Sequence, residues 1–215
     1  MGGLMKKFIT VLSVMLTLTG VIYAQSADEV ITNVQKQVQV EMPVRVKFQQ
    51  VFEWKLTGKV DKSEGSMVLK GYDQFRIETQ DQTVVSNGKT MWTYSNLENQ
   101  VIVDTVRNTG RALMPRDILF SYPEEYDTNI LRKQEDLGGK STVVLRMTPK
   151  DEDQYLQEIK VWVNRESWKP VQVEFTDLNE NTTLYKIDSI KPDASVNDST
   201  FVFQPPDGTE IIDVR

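Results

Sequence analysis

The sequence predicts a mainly β protein with about ten strands and two helices. Three observations support this fold class: almost perfect apolar–polar alternation begins at Val44, short alternating segments separated by turn residues follow, and helix signals are confined to two places. Short connections between neighbouring strands imply antiparallel pairing. A sheet of this size twists and curls, so the residues alone leave two architectures open: a packed sandwich, or a partial barrel with helices across its mouth.

The first segment of the chain has the composition of a secretory signal peptide. Lys6 and Lys7 precede an apolar run over residues 8–22, and Tyr23 and Ala24 follow it. A basic start, a short apolar centre and a small final residue are typical of such a leader. The run is shorter than the ~20 residues that a membrane span needs. We therefore expect residues 1–24 to be a cleaved leader and residues 25–215 to form a single exported, soluble domain.

Composition excludes several kinds of site. The chain has no cysteine and no histidine, which excludes disulfides, thiolate metal sites and lipidation at the leader cleavage site, and removes the usual general base. The net charge of −6 becomes −8 when Lys6 and Lys7 leave with the leader. An acidic chain of this kind argues against nucleic acid or an anionic membrane as a partner. We expect a monomer without a metal ion or a cofactor.

The first elements after the leader are a helix and a long strand. Ser26 and Glu29 have the spacing of a capping box, and apolar residues then recur at helical spacing until Met42-Pro43. The alternation that follows predicts a strand over residues 44–56, with a turn over residues 58–65. One face of this strand carries Val44, Val46, Phe48, Phe52, Trp54 and Leu56.

The remaining elements are short strands and one further helix. Asn87-Gly88 is a strong hairpin signal, and Pro115 suits the first turn of a short helix within residues 111–122. Strands are predicted over residues 66–70, 74–79, 82–86, 90–95, 100–105, 142–147, 156–163, 171–176 and 183–189.

Four of these segments share more than strand periodicity with a known family. They are Phe48-Gln49-Gln50 after the first helix, the hairpin of residues 65–75, the central hairpin of residues 84–94 with Gln100-Val101, and residues 201–208. Their order, the leader and the lack of a lipidation cysteine resemble the periplasmic lipoprotein carriers of the LolA family over residues 26–215. The resemblance implies a strongly curved antiparallel sheet forming an incomplete barrel of about ten to eleven strands. It also implies an N-terminal helix and a short lid helix over an apolar cavity.

The same resemblance implies a task rather than a catalysed reaction. A protein of this family accepts acylated lipoproteins from an inner-membrane ABC transporter, shields their acyl chains and delivers them to the outer membrane; the resemblance leaves an outer-membrane receptor open. We expect the lining to combine strand residues with the lid. These residues are Phe48, Phe52, Trp54, Met67, Leu69, Phe75, Ile77, Trp92 and Tyr94, with Leu113, Met114, Ile118 and Leu119 from the lid.

The chain departs from the family at one point. The family usually has Lys-Arg-Pro where this chain has Lys70-Gly71-Tyr72. The arginine of that pattern is associated with latching the lid, and Gly71 lacks a side chain that could do so. Arg76 lies nearby, but alternation places it on the opposite face of its strand from Phe75. We therefore transfer no latch arginine to this chain.

Two other functions compete with the carrier. A glycosidase needs only two carboxylates and stacking aromatic rings, which Trp162 and Trp168 could supply. However, its candidate acids alternate with apolar residues and so face water; these are Glu53, Asp73, Glu78, Glu158 and Glu174. The second alternative is a lipid- or lipoprotein-sensing binding module of the same fold without transport. We expect no further domain after residue 215, which favours the carrier.

Overall fold

The computed structural model describes residues 26–71, 73–106, 125–151 and 153–215. The predicted leader and the predicted lid helix lie outside these residues. Helix α1 spans Ala27–Glu41 and a 3₁₀ helix spans Asp198–Phe201. The strands are β1 Val44–Glu53, β2 Val60–Lys70, β3 Gln74–Thr79, β4 Gln82–Asn87, β5 Thr90–Ser95, β6 Gln100–Thr105, β7 Tyr126–Leu137, β8 Lys140–Pro149, β9 Leu156–Asn164, β10 Pro170–Asp177, β11 Thr182–Pro192 and β12 Glu210–Asp213.

All twelve described strands belong to one sheet, in the order β12-β6-β5-β4-β3-β2-β1-β11-β10-β9-β8-β7. Neighbouring strands are antiparallel, except that β12 runs parallel to β6. The outermost strands β12 and β7 do not pair with each other, so the sheet is curved but open and does not close into a barrel. The predicted mainly β fold with a single curved sheet is confirmed, and the described strands do not form a two-layer sandwich.

Helix α1 begins where the capping-box spacing predicts. The Oγ of Ser26 accepts a hydrogen bond from the backbone N–H of Glu29 at 3.1 Å, which satisfies one of the free amides of the first turn. Val30, Val34 and Val38 are buried on one side of the helix and pack against the sheet. None of the helices in the described residues has the length and apolar character needed to cross a lipid bilayer.

Several predicted boundaries are wrong. Strand β1 ends at Glu53 instead of reaching Leu56, because the backbone of Trp54 already closes a turn with Lys59. Strand β2 starts at Val60, so the turn predicted over residues 58–65 is too long. Strands β7 and β12 were not predicted. Both lie at the edges of the sheet and are mostly exposed, so neither needs the apolar alternation that identifies a half-buried strand.

Cross-strand pairs define the two faces of the sheet, because directly paired residues point to the same side. We call the face that carries Phe75 the inner face; Phe75 pairs with Leu69 on β2 and with Ser86 on β4. Helix α1 packs on this face over β7–β11. We call the opposite face, which carries Arg76 and Val85, the outer face.

The C-terminal strap, residues 198–208, covers part of the outer face. Its 3₁₀ helix lies against β3 and β4, and Phe201 is fully buried. Phe203 packs on Val85, Val101 and Val103 of β4 and β6. This half of the sheet therefore has an apolar layer on both faces, and the outer layer is supplied by the chain itself.

Candidate functional site

The inner face carries two separate apolar clusters. The first lies beneath α1 and includes Val34, Ile159 and Phe175. The second lies on β1–β5 and has a core of Val44, Val46, Leu69, Phe75, Met91 and Val106. Met67, Ile77, Val84, Ile187 and Ile190 pack against it. The second cluster is the candidate site.

No described helix packs on the second cluster. The three buried residues of α1, the α-helix within the described residues, all belong to the first cluster. Val106, the last residue before the undescribed range 107–124, belongs to the second cluster. Tyr126, which follows that range closely, belongs to the first. The predicted lid residues Leu113, Met114, Ile118 and Leu119 fall in this range and lie outside the described residues.

Four predicted lining residues lie together in the candidate site. Leu69 and Phe75 are in its core, and Met67 and Ile77 are half-buried beside them. Met67 pairs with Val46 on β1 and with Ile77 on β3, so the row crosses three strands on one face. The predicted lining lacks the other members of this cluster, which are Val44, Val46, Val84, Met91, Val106, Ile187 and Ile190. The hairpin at Asn87-Gly88 could have identified Met91, because it pairs Met91 with Ser86.

A row of three aromatic rings runs between the two clusters. The rings of Phe48 and Tyr185 meet edge to face with centroids 5.5 Å apart, and Tyr185 meets Phe175 in the same way at 6.0 Å. Burial raises the pKa of Tyr185 to about 12, because an apolar setting disfavours the phenolate. The predicted lining residue Phe48 is thus a buried link between the clusters.

Phe52 and Trp54 lie at the end of β1. Their rings are 4.8 Å apart at an interplanar angle of 78°. The indole Nε1–H of Trp54 donates to Oδ2 of Asp61 at 3.2 Å. Phe52 is half-buried and Trp54 is exposed, so these two predicted residues extend the inner row to the rim of the sheet.

Trp92 and Tyr94 lie on the outer face, whereas the prediction groups them with lining residues such as Phe75 on the inner face. Trp92 pairs with Val85, an outer-face residue, and both rings pack against the cluster that contains Phe203. The centroids of Tyr94 and Phe203 are 5.4 Å apart. The structure therefore does not bring them together with Phe75. The reason is that alternation shows which residues of one strand share a face. The register of the hairpin decides which of the two sets lies on the inner face.

Two carboxylates of the glycosidase alternative, Glu158 and Glu174, lie on the outer face among basic side chains. Lys160 Nζ lies 2.8 Å from Glu158 and 2.9 Å from Glu174, and Arg146 also pairs with Glu158. Burial alone would raise the pKa of Glu158, but the hydrogen bonds and charges of Lys160 and Arg146 leave that pKa below its ordinary value. Within the described residues, no three acidic side chains form a group that could hold a metal ion.

The residues around Gly71, which stands where the family has its latch arginine, have contacts of their own. Lys70 forms an ion pair of 2.7 Å with Asp198 of the C-terminal strap. Arg76 pairs with Glu78 at 2.7 Å on the outer face, as the alternation predicts. The backbone N–H of Gly71 points to Sδ of Met42 at 3.1 Å.

The general class of the protein follows from its fold and site: it is an open, curved β-sheet protein whose apolar inner face is suited to binding. Comparison with known proteins defines the family. Residues 42–204 match the family described as "Outer membrane lipoprotein carrier protein LolA". This range is more than half of the chain, and the chain belongs to the LolA family. The family consists of non-enzymatic binding and transport proteins.

Individual relatives agree with this assignment. The outer-membrane lipoprotein carrier protein of Francisella philomiragia subsp. philomiragia is 30% identical over 155 residues, covering 70% of this chain and 72% of the relative. Its counterpart from Francisella tularensis subsp. tularensis is 29% identical over 154 residues, with the same coverage. The crystal structure of an uncharacterized conserved protein from Thermus thermophilus has a TM-score of 0.56 and 12% identity, covering 87% of this chain and 98% of that one. At this identity the structural match supports the fold alone.

Proposed function

We propose that this protein binds the acyl chains of lipoproteins on the inner face of β1–β5 and carries them through the periplasm from the inner to the outer membrane. The observation that supports the proposal best is the second cluster, a buried apolar cluster on the inner face on which no described helix packs. Membership in the lipoprotein carrier family gives the class of cargo. The predicted leader gives the compartment.

The physical need for a carrier follows from the cargo. Each buried methylene contributes ~0.8 kcal/mol, so two or more acyl chains hold a lipoprotein in a membrane almost irreversibly. Such a molecule crosses an aqueous space only if a protein surface replaces the lipid. Aliphatic and aromatic side chains of the kind found in the second cluster are suited to that role.

The proposed contact residues are those of the predicted set that lie along the inner row. They are Phe48, Phe52, Trp54, Met67, Leu69, Phe75 and Ile77, and the structure adds Val84 and Met91. Leu113, Met114, Ile118 and Leu119 remain the proposed cover. Methionine suits such a surface because its unbranched, polarizable side chain adapts to ligands of different shape.

Release limits how tightly the cargo can be held. Complete burial of several acyl chains would exceed the practical ceiling of non-covalent affinity, so we infer partial shielding. The energy for loading then comes from the donor, an inner-membrane ABC transporter. Delivery occurs at the outer membrane, with or without a receptor there.

Two neighbouring residues of β4 allow a sharp test. Val84 pairs with Ile77 on the inner face, whereas Thr83 pairs with Glu78 on the outer face, and both side chains are half-buried. Val84→Lys places a charge on the proposed binding face, and Thr83→Lys places the same charge on the opposite side. We expect Val84→Lys to lose most lipoprotein that co-purifies from the periplasm, and Thr83→Lys to keep it.

The readout is mass spectrometry of organic-solvent extracts from each purified protein. Thermal melting of both variants shows that each remains folded. The proposal is wrong if Val84→Lys carries as much acylated material as the wild type.

A further inference from the structure

The turn between β1 and β2 exposes large apolar side chains close together. Leu56 is 96% exposed, and Trp54 and Val60 on either side of it are 45% and 46% exposed. Leu178, in the neighbouring turn between β10 and β11, is 54% exposed. Single exposed apolar residues are ordinary, but a group of them at one end of a molecule indicates a contact surface. We call residues 54–62 the β1–β2 tip.

The β1–β2 tip is a well-defined structure that holds these side chains outward. The backbone N–H of Trp54 donates to the carbonyl of Lys59 at 2.9 Å, and that of Gly58 donates to the carbonyl of Trp54 at 2.8 Å. Gly58 has a φ of +66°, which glycine adopts without strain. Leu56 thus lies at the outer end of a closed turn, and no residue of the described ranges covers it.

The turn that carries Leu178 supports the β1–β2 tip from the side. The backbone N–H of Lys55 donates to Oδ1 of Asn181 at 3.1 Å. The Nζ of Lys55 also pairs with Glu180 at 3.1 Å. Two turns of the same edge are therefore fixed to each other, and together they present Leu56 and Leu178 to the surroundings.

The β1–β2 tip is basic in an acidic protein. Residues 54–62 contain Lys55, Lys59 and Lys62 against the single acid Asp61, while the whole chain has a net charge of −6. Lys55 also pairs with Glu180 of the neighbouring turn, whereas Lys62 forms no ion pair among the described residues. Asp61 is held by Lys59 at 3.0 Å and by the indole of Trp54. The overall acidity argues against an anionic membrane as a general partner, but it does not apply to this local surface.

We propose that the β1–β2 tip, together with Leu178, is the surface that contacts an anionic lipid bilayer. Leucine enters the acyl boundary, tryptophan occupies the headgroup level, and lysines extend their charges to lipid phosphates while their stems remain in the apolar layer. All three residue types are present within nine positions. The proposal goes beyond the binding of acyl chains, because it identifies the edge of the protein that meets the membrane.

A second exposed leucine provides a matched control. Leu97, in the turn between β5 and β6, is 92% exposed, nearly as much as Leu56. Its neighbours are Asn96 and Glu98 rather than lysines. Leu56→Ser and Leu97→Ser therefore remove equally exposed side chains from a basic and an acidic setting, and neither substitution disturbs a packed core.

The experiment is flotation of the processed protein, without its leader, with vesicles of phosphatidylglycerol and phosphatidylethanolamine. Vesicles of phosphatidylcholine alone are the neutral comparison. We expect the wild type and Leu97→Ser to float with the anionic vesicles and Leu56→Ser to bind about tenfold more weakly, as loss of one buried leucine side chain implies. We also expect binding of the wild type to fall in high salt.

Three flotation results would overturn the proposal: no flotation of the wild type, equal binding to neutral vesicles, or equal losses in the two variants. Co-purified lipoprotein is measured in the same preparations. Trp54 lies at the border between the β1–β2 tip and the proposed acyl-chain contacts, so the test changes Leu56 alone. Leu56→Ser retains its cargo if Leu56 lies outside the acyl-chain site, so failure of this proposal is distinguishable from failure of the proposed function. Loss of cargo together with loss of flotation would contradict the separation that the proposal requires.

Discussion

The ring of Phe48 lies directly over Gly65 of the neighbouring strand. A Cβ added to Gly65 would stand 2.6 Å from Cε2 of Phe48 and 2.9 Å from the carbonyl oxygen of Glu78. Because Gly65 has no side chain, the ring of Phe48 can lie against β2, between the two inner clusters. A glycine inside a strand weakens it locally, and the covering ring of Phe48 compensates for part of that loss.

We expect Gly65→Ala to lower the free energy of unfolding by about 1–3 kcal/mol, the usual cost of overpacking a well-filled site. The added methyl group must displace the ring of Phe48 or the backbone of β3. Urea denaturation of the wild type and the variant measures the effect. Unchanged stability would show that the ring moves aside without loss.

A double-mutant cycle tests whether the ring causes that cost. Phe48→Leu alone removes the contact with Tyr185 and should destabilise the protein. In the Gly65→Ala background the same substitution also relieves the overlap, so its cost should be smaller. Coupled residues in contact show interaction energies of about 0.5–3 kcal/mol; additive effects would contradict a direct Phe48–Gly65 clash.

The hydroxyl of Tyr185 makes stability sensitive to alkaline pH. Burial raises the pKa of Tyr185 from 10.0 to about 12, so the folded state favours the neutral phenol. This contribution is fully present below pH 10 and is lost as the pH rises towards 12. We expect Tyr185→Phe, which keeps the ring contacts, to lose less stability than the wild type between pH 10 and 12. Denaturation at a series of pH values is the measurement, and parallel curves for both proteins would contradict the assignment.

The alternation of apolar and polar residues was sufficient to predict the fold class. Most of β1, β3, β5, β9 and β10 could be predicted because each strand has one buried face and one wetter face. Strand β7 could not be predicted, because residues of its second half such as Arg132 and Lys133 are exposed. Exposed edge strands form by backbone pairing, which leaves little signal in side-chain hydrophobicity.

The candidate site was only partly predictable for a related reason. Phe75 and Ile77 were placed together correctly, since they are two residues apart on one strand. Trp92 could not be assigned to a face without the register of the hairpin that joins β4 and β5. Nothing in the alternation indicated that the C-terminal strap would cover that outer face with Phe203. Contacts between distant segments of the chain determine such coverage.

Lys160 is expected to matter more than an ordinary surface lysine. It lies between Glu158 and Glu174 on adjacent strands. Its removal takes the counter-charge from Glu174 and leaves Glu158 with Arg146 alone. We expect Lys160→Met to cost about 1 kcal/mol at neutral pH, within the range of coupled charges. The pKa of Glu158 lies below its ordinary value, so the stability from this group is present above that ordinary value and is lost as the pH falls through the lowered one.

The matched control for Lys160 is Lys186. It lies on the same outer face, paired with Gln172, and it is exposed. Lys186→Met should leave stability nearly unchanged at every pH. Urea denaturation at neutral and acidic pH compares both variants with the wild type. An equal effect of the two substitutions would mean that the lysine between the carboxylates has no special role.

The C-terminal strap depends on Phe201. This side chain is fully buried, whereas its neighbour Val202 is 49% exposed. We expect Phe201→Ala to destabilise the protein by about 3–5 kcal/mol, the usual cost of removing a buried phenylalanine, and Val202→Ala to have an effect below about 0.5 kcal/mol. Thermal and urea unfolding measure both. A small effect of Phe201→Ala would show that the strap adds little to the stability of the sheet.

Leu119 is part of the proposed cover of the acyl-chain site. Leu119 belongs to the apolar segment that the sequence predicts to be a lid helix. Leu119→Asp places a charge against acyl chains, which is unfavourable in an apolar setting, so we expect a folded protein that co-purifies with much less lipoprotein. Leu97→Asp makes the same change at an exposed turn and should retain cargo. Mass spectrometry of extracted lipid quantifies both variants, and normal cargo on Leu119→Asp would show that this residue does not cover the site.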